Sequence, residues 1–194
     1  MKTRTLPAAL TALLPLLCTP FALAQHQAFN INPDSSTVAF TLNSTHETTK
    51  GTFHVEKGTV DFDRATPALS GLIVVSASSG NTGNASRDKK MLNDILQAPQ
   101  FADVTFVPQS YSGTLAPAGD STLQVTGIFT LHGAPHTITV PMQMHIDGNK
   151  LTAKTTFEVP YIEWGLKDPS WFVLKVAKAV EVNLTLVGFL APAS

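Results

Sequence analysis

The 194-residue chain has a single cysteine, Cys18. An intrachain disulfide and a cysteine-built metal site are therefore excluded. Charged residues make up only 14% of the chain, well below the usual share of a soluble domain. With 13 Lys and Arg against 14 Asp and Glu, the net charge is −1, and no basic excess exists to neutralise phosphates. Nucleic-acid binding is excluded on that ground. Beyond the first 24 residues no run of about 20 apolar residues occurs, so the chain is read as not membrane-spanning. Also missing are a Gly-x-Ser-x-Gly elbow, a phosphate loop, a dinucleotide fingerprint and a His-Glu-x-x-His helix. No catalytic residue, metal ligand or cofactor is assigned, and the chain is read as a non-enzyme.

The apolar content is ample, at 43% of residues, which excludes disorder. Lys2 and Arg4 precede the apolar stretch Leu6 to Leu17, and Ala22-Leu23-Ala24 supplies a small-x-small cleavage step. Residues 1–24 thus read as a signal peptide cut near Ala24-Gln25, with a periplasmic or secreted destination. The remainder, 25–194, is roughly 170 residues, the size of one domain.

That domain reads as strands almost throughout. Period-two alternation runs through Val38, Phe40, Leu42, then Val60, Phe62. It is cleanest over Leu123 to Leu131, Ile138 to Ile146 and Val180 to Leu186. One face of each run is apolar and the other mostly polar, as in antiparallel strands with one side on a core. Asp147-Gly148-Asn149, His132-Gly133-Ala134-Pro135 and Pro117-Ala118-Gly119 mark tight connections. The exception is Asn84 to Leu96, a short helix capped by Asn84 or Ser86, with Met91, Leu92 and Ile95 on one face and Pro99 beyond its end. Many short strands with turns between them predict a closed barrel or a sandwich.

The inward candidates are Phe40, Phe53, Phe62, Phe106, Phe129 and Phe157 with Met142 and Met144. Gly127 and Thr155 fall on the same faces and are expected to leave room. A barrel of about eight strands either fills with side chains or holds one small ligand. Pattern alone leaves open whether this interior is open or packed. His132 and His136 are four residues apart across a turn, not on one helical face, and Trp164 and Trp171 flank a loop before the last strand. The two indoles either line the barrel mouth or lie against a membrane surface, or, in the preferred reading, form a plug closing one end of the barrel.

The chain also resembles the YceI-like family. Thr82-Gly83-Asn84 with Arg87-Asp88, the helix after it and Phe101-Ala102-Asp103-Val104-Thr105-Phe106 are similar to that family's signature. So are Gly127-Ile128-Phe129-Thr130-Leu131-His132-Gly133 and the strand from Thr137, with Ser36 to Phe40 and Lys50 to Phe53 matching its opening strands. The resemblance runs from about Phe29 to Leu190. Phe101-Ala102 departs from the family's Tyr-Pro pair, and Lys89-Lys90-Met91-Leu92 from its usual residues after Arg-Asp.

The resemblance implies an all-β, extended, lipocalin-like antiparallel barrel of about eight strands with one short helix near its mouth. It further implies a long isoprenoid or other amphiphilic chain held in an apolar lumen. Phe40, Phe53, Phe62, Met91, Ile95, Phe106, Phe129, Met142, Met144 and Phe157 would line that lumen, with Arg87 at the lipid head group, unless Arg87 and Asp88 serve a local capping and salt-bridge role instead. The partner is then a long-chain amphiphilic lipid, and the protein a monomer or homodimer. Two other classes stay open: a dry-cored interaction module acting through its outer surface, and a haem or metal binder using rim histidines.

Overall fold

The computed structural model describes residues 26–192; the proposed leader, with Cys18, lies outside them. Nine strands succeed one another: β1 (His26–Ile31), β2 (Thr37–Asn43), β3 (Thr48–Asp63), β4 (Leu69–Asn81), β5 (Asp103–Ser112), β6 (Gly119–Leu131), β7 (Ala134–Asp147), β8 (Lys150–Val159) and β9 (Val180–Pro192). They form one antiparallel sheet, and pairing of β3 with β4 closes it on itself.

The closed barrel has eight positions because β1 and β2 share one. Both run antiparallel to β3 and to β9, one after the other along the same gap. The 3₁₀ turn Pro33–Ser35 interrupts them, and Pro33 cannot donate to a ladder. Val187 of β9 bridges the break, accepting from Asn32 N at 2.8 Å and donating to Ser36 Oγ at 3.1 Å. The 16 residues of β3 reach both halves of this split stave. Bulges between Thr52 and His54 and between Val55 and Lys57 let the long strand bend around the barrel. Pro108 sits at the β5 bulge, where a missing N–H costs least.

The helix predicted from Asn84 forms as α1 (Ala85–Lys90), followed directly by a π-helical turn, Met91–Ile95. Asn84 is the cap, its side-chain oxygen accepting from Ser86 N and Arg87 N at 3.1 Å each. α1, the β2–β3 and β6–β7 turns and segment 160–179 gather at one end of the barrel, called here the helix end. The β3–β4, β5–β6 and β7–β8 connections lie at the other, the far end. No helix among the described residues is long and apolar enough to cross a membrane.

Two clusters fill the inside. The larger includes Phe29, Phe62, Leu123, Met142, Leu151 and Leu186; the smaller, built on Leu131, Val159, Tyr161 and Leu166, closes the helix end. Strand packing is tight where β9 crosses the split stave. A Cβ on Gly188 would run into the Asn30 carbonyl, a backbone atom that cannot swing aside. Gly188→Ala is therefore expected to cost about 2 kcal/mol through strand separation. Urea unfolding of the two proteins measures it.

Candidate functional site in the barrel interior

The alternation read from the sequence places the expected faces inward. Leu123, Val125, Val140, Met142 and Leu186 are all buried, with Gln124 exposed between the first two in β6 and Pro141 exposed between the next two in β7. Inside the far half lies a cavity of about 70 Å³. Its walls come from all eight barrel positions and are hydrophobic throughout: Phe29, Phe62, Ile73, Phe106, Tyr111 and Met142 are among them. This is roughly half the volume of an engineered cavity that admits benzene. Among the described residues the lumen is thus largely packed, with a small apolar gap in its far half.

The ten residues expected in the lumen separate along its length. Phe62, Phe106, Met142 and Met144 border the gap. Phe129 and Phe157 pack edge to face at 6.1 Å in the helix-end cluster, which Ile95 also joins. Phe40 is buried against Phe53 with ring centroids 5.4 Å apart, away from the gap. Met91 reaches down from the π-helical turn toward Gly80, also at the helix end. Val60 also borders the gap, in phase with Phe62, and Phe29, Leu69, Ile73, Tyr111 and Leu115 line the wall although no period-two run had marked them. Leu115 lies in a loop and Leu69 at a strand start, where alternation gives no phase.

Gly127 does not leave room. Phe106, diagonally across the ladder and two residues from Gly127's partner Pro108, lays its ring over the position, and a Cβ there would meet Val107 O at 2.6 Å. Thr155 is buried with its Oγ1 unpartnered, and it does not border the gap.

Arg87 is committed elsewhere. It forms an ion pair with Glu47, and Nε and Nη1 donate to Thr82 Oγ1 and Thr49 Oγ1 at 3.0 and 3.2 Å. Asp88 accepts from Thr82 N and Oγ1 at 2.8 and 2.6 Å. The Arg-Asp element thus ties α1 to the end of β4 and the start of β3, at the barrel end away from the gap. Its side chains are occupied in holding the helix.

Segment 160–179 covers the helix end, its turn at 161–165 presenting Trp164 to the barrel. Trp164 stacks on His136 at 3.9 Å and 6° and lies 5.7 Å from Phe129. His132, with φ at 53°, packs on Phe101 at 4.3 Å. The Nε2 atoms of both histidines are buried without hydrogen-bond partners. Among the described residues no three His, Cys, Asp or Glu converge as metal ligands. Trp164 plugs the barrel as read, but Trp171 does not: it is 77% exposed, beside Phe172 at 87%. His145 faces solvent on β7, paired with Asp120 at 2.6 Å.

Tyr161 clamps the plug, donating to Ala177 O at 2.8 Å. Burial, helped by the Asp168 carboxylate, pushes its phenol up to about 12.

These features define a small closed barrel with an apolar interior, plugged at one end. The chain belongs to the YceI-like domain family, whose model matches residues 29–188. It is 30% identical over 148 residues to a UPF0312 protein of Pseudomonas fluorescens (strain SBW25), covering 71% of this chain and 72% of that one. BcnA of Burkholderia cenocepacia has the same fold, with a TM-score of 0.67 at 23% identity, covering 81% of this chain and 99% of its own. A polyisoprenoid binding domain from Saccharophagus degradans, implicated in plant cell wall breakdown, matches with a TM-score of 0.63 at 16% identity over 84% and 98% of the two chains.

The folded state favours the neutral Tyr161 phenol. Its contribution is complete below the ordinary phenol value near pH 10 and is lost as pH rises toward about 12. Tyr161→Phe should cost about 1 kcal/mol at pH 7 and reduce the loss of stability between pH 10 and 12. Denaturant midpoints across that range check both signs.

Proposed function

We propose that this protein binds the apolar tail of a long isoprenoid or similar amphiphile inside the barrel and catalyses nothing. Residues 1–24 direct it to the periplasm or outside the cell, where it acts as a monomer or homodimer. The observation carrying this reading is the gap in the far half, whose walls come from every barrel position and hold no charged side chain. The similarity of fold to a polyisoprenoid binding domain supports the class of ligand.

A gap of about 70 Å³ does not hold a long chain. Entry requires side chains to give way, and those best suited are Met142 and Met144. Methionine is unbranched and repacks around irregular contents at small cost. Each methylene buried supplies about 0.8 kcal/mol to drive that repacking. The small gap equally supports a second reading, a dry core with function on the outer surface.

Organic extraction of the purified full-length protein, followed by mass analysis, separates the two. The lipid reading expects a long-chain species at near one molecule per barrel. A lipid-free protein that also fails to take up an added prenol contradicts it. Ala153, buried on the wall of the gap, provides a second check. Ala153→Leu should fill the space, weaken prenol binding about tenfold and leave the β-sheet circular dichroism unchanged.

A further inference from the structure

The far end of the barrel holds an arginine that the family signature does not include. Arg64 comes directly after β3 in the turn to β4, half-buried above the gap. Its guanidinium carbon lies 6.0 Å from the centroid of Phe62, which lines the gap. Nε donates to Gln27 Oε1 at 2.9 Å, and Nη1 donates to the carbonyls of Ala116 and Leu115 at 3.2 and 3.5 Å. All three acceptors are neutral. Among the described residues the ion pairs are Arg87–Glu47 and His145–Asp120, and none of their carboxylates lies within 4.0 Å of Arg64. The neighbouring Asp63 is buried and accepts from Ala65 N at 2.9 Å, which closes the turn.

A half-buried cation beside an apolar gap, balanced only by carbonyls, favours an anion. Charge-assisted hydrogen bonds are roughly twice as strong as neutral ones, and the planar fork matches phosphate or carboxylate oxygens. The carbonyls holding Arg64 belong to segment 114–118. Gly113 and Gly119 flank it at φ of 106° and 76°, conformations that glycine adopts without strain.

Resting on the lumen reading above, we propose that Arg64 anchors the anionic head of a single-tailed amphiphile whose tail passes between Leu69, Tyr111 and Leu115 into the gap. On binding, the guanidinium exchanges the Leu115 and Ala116 carbonyls for head-group oxygens, and segment 114–118 moves aside. The recognised chemistry is a phosphate or carboxylate on a long apolar tail.

The test is equilibrium binding of geranylgeranyl phosphate, oleate and neutral geranylgeraniol to the full-length protein. The wild type should hold the phosphate, the carboxylate or both at least about tenfold more tightly than the alcohol. The tighter of the two anions identifies the head. Arg64→Met should bring this preference to within about twofold and leave alcohol binding as it was. Arg64→Lys should keep part of it, and Arg87→Met all of it. The proposal is overturned if the wild type binds the alcohol as tightly as both anions, if Arg64→Met retains the preference, or if Arg87→Met abolishes it. Should Arg64→Met not fold, the wild-type comparison and Arg64→Lys decide: a lysine variant with no preference for either anion also overturns it. Alcohol binding without anion preference sinks the anchor alone; absence of binding by all three ligands sinks the lumen reading with it.

Discussion

The β3–β4 ladder is the constraint on which the other features depend. Without it the sheet would have two open edges and a face in water; with it, alternate side chains of every strand are committed to one enclosed space. Closure explains why β3 is the longest strand, since it must pair with β4 on one side and both halves of the split stave on the other. It also fixes the radius. An eight-position barrel has just enough interior for one layer of side chains or a slim ligand, so small differences in packing decide which it holds.

Packing differs between the two ends. At the helix end, segment 160–179 folds over the opening, Trp164 fills it, and Tyr161 fixes the segment through Ala177. At the far end the wall is equally apolar but incompletely filled, with adaptable methionines beside the gap. The arginines obey the same division. Arg87 is neutralised by Glu47 and serves the helix, whereas Arg64 meets only neutral acceptors beside the gap. Chemistry directed at a ligand belongs at the end where both space and charge remain unspent.

Much of the fold was legible because period-two alternation reports directly on which side of a sheet a residue faces. Val125 and Met142 fall inward in the predicted phase, and Asn84 caps the predicted helix. Alternation says nothing about height along the barrel axis. Leu123 and Phe129 share a face of β6, yet one borders the gap and the other lies under the plug. Height depends on register, and register depends on bulges and turns that leave weak traces in sequence. Gly127 illustrates the loss: a missing side chain reads as space until the ladder brings Phe106 across it. Arg64 gave no signal at all, because its position depends on a turn and a loop converging at the far end.

The central claim is that the far half of the interior yields to an apolar chain while the helix end stays shut. The chain's four methionines are Met1, Met91, Met142 and Met144, and the last three report on the two ends of the barrel. Methyl-labelled methionine NMR during titration with a long-chain prenol reads them separately. The account predicts that the Met142 and Met144 methyl resonances move together to saturation and that Met91 stays in place. Unmoved resonances at all three, or a shift confined to Met91, would contradict it.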